Sequence, residues 1–150
     1  MSRNRLLALP AVFALLGGCM ILPTYTPAAG EPVAIIQADR LPSPSFCADG
    51  VGYDAKVAAD GTIQVPANKR VSLYSYVVLA DYNVTYTCMP GASYTFDPGK
   101  RYIGAVQHVP GGCAIDLVQL SDATDTGLAP EPSESGPHCS PWAKPDKKKK

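Results

Sequence analysis

The chain has 150 residues with 13 basic and 13 acidic side chains, so its formal net charge is zero. The charge is unevenly distributed, because residues 19–142 carry six basic and twelve acidic side chains, while residues 143–150 carry five lysines and one aspartate. This acidic body excludes the basic groove that nucleic-acid binding needs, and its length suffices for one folded domain.

Residues 1–18 have the layout of a secretory signal. Arg3 and Arg5 precede an apolar run from Leu6 to Leu16, and two glycines follow it. The run has 11 residues, whereas a helix that spans the hydrocarbon core of a bilayer needs about 20. We therefore predict an export signal that is removed, rather than a permanent transmembrane helix.

The leader ends in Leu16-Gly17-Gly18-Cys19, which resembles the lipobox of bacterial lipoproteins. The resemblance covers the leader only. It implies cleavage between Gly18 and Cys19, a diacylglyceryl thioether on Cys19, and acylation of the freed amine. Because Met20 rather than an aspartate follows the cysteine, it also implies retention in the outer membrane, facing the periplasm. The alternative is ordinary secretion, with cleavage between Gly17 and Gly18.

Composition divides the rest of the chain into three parts. Residues 19–32 contain three prolines and little charge, which predicts an extended tether between the lipid and the domain. Residues 33–121 have the pattern of a folded domain. Residues 122–150 hold five prolines, many small polar residues and a terminal run of lysines. That composition is typical of a flexible tail.

Apolar residues within 33–121 recur with a period of two, which predicts strands, and no segment has the period of an amphipathic helix. The alternation from Tyr82 to Cys88 predicts one face toward the core and one in water. Asp60-Gly61 is a turn signal of the kind that joins antiparallel strands. We predict an all-β fold, an antiparallel β-sandwich, with a small β-barrel as the alternative. The strands are expected at Val33–Ile36, Thr62–Val65, Arg70–Ala80, Tyr82–Cys88, Tyr102–Val109 and Cys113–Leu120.

Four cysteines follow the leader, and an even number in an exported chain predicts two disulfides. We favour Cys88–Cys113, because both residues flank strand patterns, and this leaves Cys47–Cys139. A zinc site is the rival interpretation. It is disfavoured because the chain has no Cys-x-x-Cys pair and its two histidines are isolated.

Two further resemblances concern the domain itself. Asp60–Ala67, Cys88, the Phe96-x-x-Gly99-x-x-Tyr102 pattern and Gly112-Cys113 resemble small bacterial lipoproteins with a transthyretin-like or PEGA-like sandwich. That resemblance implies an extracytoplasmic sheet stapled by one disulfide, and it implies nothing about a ligand.

A second resemblance leads to a different function. Val84-Thr85-Tyr86-Thr87-Cys88, with Gly99-x-x-Tyr102, resembles the lipoprotein inhibitors of lysozyme. Their motif has serine where this chain has Pro98. The alternative function that it implies is inhibition of a cell-wall hydrolase.

The sequence offers no nucleophile elbow, metalloprotease motif, P-loop or dinucleotide fingerprint, which predicts a protein that is not an enzyme and needs no metal or cofactor. His108 and His138 are interpreted as hydrogen-bonded or solvated imidazoles without a site role, and Asp116 is interpreted as lying on a solvated sheet face. Lys147, Lys148, Lys149 and Lys150 could contact anionic lipid or cell wall, and the alternative is a solvated tail that binds nothing.

The leading functional hypothesis follows from these observations. We expect an envelope lipoprotein, anchored through Cys19, that presents its sandwich to an unidentified envelope partner. Exposed edge strands of such a sheet offer a means of pairing with a strand of that partner.

Overall fold

The structure is a computed structural model, and it describes residues 21–143. The described chain is built from strands without helices, so none of its segments is a helix with the length and apolarity needed to traverse a bilayer. The strands are β1 (Val33–Arg40), β2 (Pro44–Ala48), β3 (Val51–Asp54), β4 (Thr62–Pro66), β5 (Arg70–Ser75), β6 (Val77–Asp81), β7 (Val84–Cys88), β8 (Gly91–Thr95), β9 (Arg101–Val109), β10 (Gly112–Leu120) and β11 (Leu128–Pro130).

These strands form two larger sheets and one separate hairpin. One sheet has the order β11-β10-β9-β1-β4, the second has the order β3-β2-β5-β8, and β6 pairs only with β7. All pairs are antiparallel except β1 with β9. The predicted all-β sandwich is therefore confirmed. The barrel alternative is wrong, because the two larger sheets share no strand and each keeps two edges.

The core lies between the two larger sheets. Ile36 of β1 in one sheet and Leu73 of β5 in the other are both fully buried and belong to one apolar cluster. Phe96 packs in the same cluster against Tyr94 and Tyr102, with ring centroids 5.8 and 5.0 Å away. Each such side chain stabilises the fold by about 1.5–3 kcal/mol relative to its exposed state. Burial between the sheets thus provides the main stabilisation.

The predicted strands at 33–36, 62–65, 102–109 and 113–120 are confirmed as β1, β4, β9 and β10. The run at 70–80 is divided instead into β5 and β6. The division falls at Tyr76, whose N–H donates to the carbonyl of Pro42 at 3.1 Å rather than to a strand partner. The strands β2, β3, β8 and β11 have three to five residues and were not predicted from the sequence.

The interpretation of Asp60-Gly61 as a turn between paired strands is wrong. Gly61 does adopt a positive φ of 77°, as a turn requires. The preceding strand, β3, lies in one sheet and the following strand, β4, lies in the other. The turn therefore carries the chain across the sandwich instead of closing a hairpin.

The segment 133–142, which we call the C-terminal strap, lies on the second sheet. The Arg70 guanidinium donates to the carbonyl of Ser133 at 2.5 Å, and Ser93 and Ser135 exchange two backbone hydrogen bonds of 2.8 and 3.0 Å. The Tyr74 hydroxyl donates to the carbonyl of Cys139 at 2.7 Å. Composition predicted a flexible tail here. The described part of that tail instead covers the outer face of β5, which explains why β5 is buried on both faces.

The described part of the predicted tether also belongs to the domain. The carbonyl of Pro23 accepts the N–H of Asp54 at 2.9 Å. The Tyr25 ring packs edge-on against Phe46 and Tyr53, at centroid distances of 5.3 and 5.4 Å. Residues 23–25 therefore lie along β3. They are part of the folded domain and not of the extended spacer that composition predicted.

The cysteines form the two pairs favoured by the sequence. Cys47 of β2 is bonded to Cys139 of the C-terminal strap, with Cα atoms 5.9 Å apart. Cys88 at the end of β7 is bonded to Cys113 near the start of β10, with Cα atoms 6.4 Å apart. One disulfide therefore fastens the strap to the second sheet, and the other fastens the hairpin to the first sheet.

Candidate functional site

The most distinctive surface is the hairpin of β6 and β7, which we call the β6–β7 hairpin. Its register places Val77 opposite Cys88, Leu79 opposite Tyr86, and Asp81 opposite Val84. β-branched and aromatic residues favour strands, and the turn at 82–83 joins them. Neither strand pairs with any other strand of the described chain, so each keeps one edge of unpaired backbone groups.

The predicted orientation of this alternating segment is wrong. Val84 and Tyr86 do not face a core, because 48% and 59% of their surfaces are exposed, and Val78 on the opposite face is 53% exposed. Tyr76 and Tyr82 are exposed as well. The alternation correctly indicates a strand with an apolar face, but no sheet of the described chain covers that face.

An apolar cleft separates this hairpin from the hairpin of β9 and β10. Its volume is about 490 Å³. The Cys88–Cys113 disulfide joins the two hairpins at the base of β7, and His108 pairs with Cys113 across β9 and β10. Glycine at 111 and 112 leaves the far rim without side chains. The cleft is lined by Leu79, Tyr86, Thr87, Cys88, His108, Gly111 and Gly112.

The edges of the second sheet, in contrast, are partly closed by the chain itself. Thr24 forms a parallel bridge to Asp54 on the β3 edge. Ser135 forms an antiparallel bridge to Ser93 on the β8 edge. Exposed strand edges promote association with other chains, and proteins commonly cover them. The β6–β7 hairpin keeps two open edges, as the first sheet does at β4 and β11, and the hairpin also exposes the large apolar side chains of Val78, Val84 and Tyr86.

The hairpin lies at one end of the second sheet, and the described chain ends lie at the other. β2 begins at Pro44, opposite Ser75 at the end of β5, where the chain continues into β6. β2 ends at Ala48, and the turn that follows contributes to a cleft lined also by Ile21 and Ala143. The length of β2 therefore separates the hairpin from the place where the chain enters and leaves the domain.

The structure places the other residues considered in the sequence as follows. Asp116 is exposed and accepts a hydrogen bond from the Gln107 side chain at 2.5 Å. His138 is exposed in the C-terminal strap, and its backbone N–H donates to the Ser72 hydroxyl at 2.9 Å. The structure brings neither of them to the cleft, whereas His108 lines it. Gly18, Cys19 and Lys147–Lys150 lie outside the described residues.

Tyr102, part of the motif that resembles lysozyme inhibitors, has a structural role in the core. It is 1% exposed, and its hydroxyl accepts the N–H of Asp97 at 3.1 Å. That bond holds the start of the turn in which Gly99 has a positive φ of 69°. The Gly-x-x-Tyr spacing therefore shapes the entry to β9. Inhibition of a hydrolase stays a prediction.

The chemistry of the cleft is suited to binding. Its walls are mostly apolar side chains and backbone, with one imidazole, and both edges of the hairpin offer backbone donors and acceptors. Comparison of the chain with protein-family models, curated proteins and solved structures gives no match. Function is therefore inferred from the leader sequence and from the geometry of this hairpin.

Proposed function

We propose that this protein is a lipoprotein of the bacterial outer membrane, anchored through Cys19, that binds an extended segment of an envelope protein at its β6–β7 hairpin. It is not an enzyme in this proposal. The observation that carries the proposal is the exposed, unpaired hairpin at the end of the domain opposite Ile21. The anchor holds one end of the domain, and the other end presents the binding surface.

The anchor is supported by the leader and by the cysteine pairs. Leu16-Gly17-Gly18-Cys19 has the residue order of a lipobox. Two disulfides suit the oxidising compartment to which such a leader directs a protein. Each buried methylene of an acyl chain contributes about 0.8 kcal/mol, so several chains hold the protein stably in a membrane.

Strand addition is supported by the energetics of the hairpin. An isolated two-stranded hairpin is marginally stable in water, and a third strand provides further hydrogen bonds and apolar contact. In β-augmentation, the backbone of the added strand supplies affinity and its alternate side chains fill pockets. Tyr86 of the edge strand β7 lines the apolar cleft, where such side chains would pack, and the exposed Val84 lies on the same face of the hairpin.

Site-specific crosslinking in cells tests the binding surface. A photo-crosslinking amino acid replaces Val84 in one variant and Val57 in a control variant. The two residues are similarly exposed, at 48% and 44%, but Val57 lies between β3 and β4. We expect a discrete crosslinked species from position 84 and none from position 57.

The pattern of capture distinguishes the proposals. No species from position 84, or the same species from both positions, would contradict the binding surface. If the captured species is a cell-wall hydrolase whose activity falls when the purified protein is added, the inhibitor alternative is supported instead.

A further inference from the structure

A cleft with both polar and apolar walls lies at the β4 edge of the first sheet, and we call it the β4 cleft. Its volume is about 360 Å³. It is lined by residues 25–27, by Lys56 and Ala58, and by Thr62 and Gln64 of β4. None of these residues lines the cleft beside the β6–β7 hairpin, so the two clefts are separate sites.

The hydrogen bonds of β1 show which residues of β4 face this cleft. Opposite residues of antiparallel strands alternate between pairs that exchange hydrogen bonds and pairs that do not. The N–H of Ala38 donates to the carbonyl of Gly61 at 2.9 Å. The N–H of Ile35 donates instead to the carbonyl of Lys100 at 3.1 Å, on the β9 side. Ile35 and Gln64 are therefore a pair without mutual hydrogen bonds, and the backbone N–H and C=O of Gln64 point to the open edge.

Gln64 supplies the one free backbone N–H of this edge in the described chain. By the same alternation, Thr62 and Pro66 also face the edge. The Thr62 N–H donates to Oδ1 of Asp60 at 3.1 Å, and the Thr62 carbonyl accepts the N–H of Ala58 at 2.8 Å. Proline has no N–H. The cleft thus contains one unpaired donor with its own carbonyl as the adjacent acceptor.

This arrangement suits the end of a peptide rather than a long strand. An added antiparallel strand pairs with every second residue of an edge, so an internal segment would also need Thr62 and Pro66. One ligand residue can pair fully, at Gln64. Ligand sites commonly have volumes of about 300–1,000 Å³. The β4 cleft is at the lower end of that range, which suits a ligand of a few residues.

The charge of the β4 cleft favours a carboxylate. Lys56 is the only charged residue among those that line it. No carboxylate of the described residues lies within ion-pair distance of its ammonium group. The nearby Asp60 is already engaged, because its carboxylate accepts the N–H and the hydroxyl of Thr62 at 3.1 and 2.6 Å. The Lys56 ammonium is therefore available to an anionic ligand.

We propose that the β4 cleft binds the C-terminal residue of a short peptide. The N–H of that residue donates to the Gln64 carbonyl, and one of its carboxylate oxygens accepts the Gln64 N–H. The other carboxylate oxygen accepts a charge-assisted hydrogen bond from Lys56. Capture of a terminal carboxylate by backbone groups is an established mode of peptide recognition. This site goes beyond the proposed function and depends neither on the anchor nor on the β6–β7 hairpin.

Fluorescence anisotropy of labelled peptides tests the site in the complete protein, held in detergent. The probe is Ala-Ala-Ala with a label on its amine and a free carboxylate, and the control probe ends in an amide. We expect the amide to bind about tenfold more weakly, because it lacks the charge that Lys56 contacts.

Variants of Lys56 isolate the carboxylate contact. Lys56→Gln should bind the free acid about tenfold more weakly and should no longer distinguish the acid from the amide. The matched control is Lys100→Gln, which makes the same change at an exposed lysine outside the cleft and should retain the preference for the acid.

Variants of Gln64 isolate the backbone contact. Gln64→Pro removes the free N–H at an edge position, where proline is tolerated, and should weaken binding of the acid about tenfold. Gln64→Ala keeps the N–H and should bind as the unmodified protein does. Melting temperatures show whether each variant is folded. If Gln64→Pro does not fold, the comparison of acid and amide on Lys56→Gln still decides the proposal.

The stereochemistry of the last residue identifies the source of the peptide. Protein chains end in L-residues, whereas stem peptides of the bacterial cell wall carry D-alanine. Probes that end in L-Ala and in D-Ala are therefore compared, and the one that binds more tightly indicates the source.

Three results would overturn the proposal. They are no binding of either free acid at millimolar protein, equal binding of acid and amide to the unmodified protein, and equal binding to folded Gln64→Pro and Gln64→Ala. These variants should leave crosslinking from position 84 unchanged. Failure of the β4 cleft to bind peptides is thus distinguishable from failure of the proposed function.

Discussion

At the scale of single residues, two buried tyrosines differ in the partner of their hydroxyl groups. Tyr94 is fully buried in the core and its hydroxyl has no hydrogen-bond partner in the described structure. The Tyr102 hydroxyl accepts the N–H of Asp97. Burial raises the pKa of both phenols. A buried polar group without a partner costs about 1–3 kcal/mol, whereas a satisfied one contributes about 1 kcal/mol.

The first prediction compares the two phenylalanine variants. Tyr94→Phe removes an unsatisfied group, so we expect the free energy of unfolding to be unchanged or to rise by about 1 kcal/mol. Tyr102→Phe removes a hydrogen bond and leaves the Asp97 N–H without it, so we expect a loss of about 1 kcal/mol. Denaturant titration measures both. A larger loss for Tyr94→Phe than for Tyr102→Phe would refute this account of the core.

The second prediction concerns pH and Asp60. Its carboxylate accepts hydrogen bonds from the N–H and the hydroxyl of Thr62, at 3.1 and 2.6 Å, and these bonds hold its pKa below the ordinary 3.8. The unfolded chain thus binds a proton at a higher pH than the folded chain. Stability from this group is present above pH 3.8 and is lost as pH falls through the lowered pKa.

We expect Asp60→Asn to reduce the loss of stability with acid, because asparagine does not titrate. The matched control is Asp122→Asn, which makes the same chemical change in an exposed turn, and Asp60→Asn should reduce the loss more than this control does. Thermal unfolding at several pH values below neutrality measures the effect. An identical profile for Asp60→Asn and the unmodified protein would show that these bonds do not stabilise the charged form.

At the scale of elements, the period of two predicted some of the strands but not which of their faces are covered. It identified β1, β4, β9 and β10 because one face of each packs in the core. In β7 the same pattern accompanies an uncovered face, because alternation describes a strand and not its neighbours. β5 is buried on both faces because the C-terminal strap crosses it, and composition alone gave no indication of that contact.

For the candidate site, too, one part could be predicted from the sequence and another part could not. The position of Cys19 after an apolar leader is local, so the sequence alone suggests an anchor. The cleft depends on the distance between hairpins that are separated along the chain, which only the fold defines. The favoured pairing of Cys88 with Cys113 was the one link between the hairpins that sequence reasoning provided.

The third prediction concerns the two disulfides. Cys47 and Cys139 are separated by 92 residues, and Cys88 and Cys113 by 25. Chain entropy alone gives about 4.5 kcal/mol of stabilisation for the long loop and about 3.5 kcal/mol for the short one. Removal of the long-range bond also frees the C-terminal strap from the second sheet.

We therefore expect the double variant Cys47→Ser/Cys139→Ser to have the lower melting temperature. Cys88→Ser/Cys113→Ser should retain more stability, but it should lose crosslinking from position 84, because the hairpin is no longer held beside β10. Calorimetry and crosslinking measure the two effects. Equal capture after the hairpin disulfide is removed would mean that the partner does not need the cleft between the hairpins.

At the scale of the whole molecule, the described chain ends and the β6–β7 hairpin lie at opposite ends of the second sheet. The described chain enters and leaves beside the turn between β2 and β3, and the β6–β7 hairpin lies at the far end of the second sheet. This arrangement suits a protein that is held at a surface and binds a partner away from it. In the proposed account, the disulfide to the strap keeps the C-terminal exit beside the N-terminal one.

The fourth prediction addresses the anchor, on which the proposed function depends. Mass spectrometry of the native protein extracted from its membrane gives the N-terminal residue and any modification of it. We predict a chain that begins at Cys19 and carries a diacylglyceryl group on sulfur and an acyl group on its amine. A chain that begins at another residue, or a Cys19 thiol without lipid, would contradict the account.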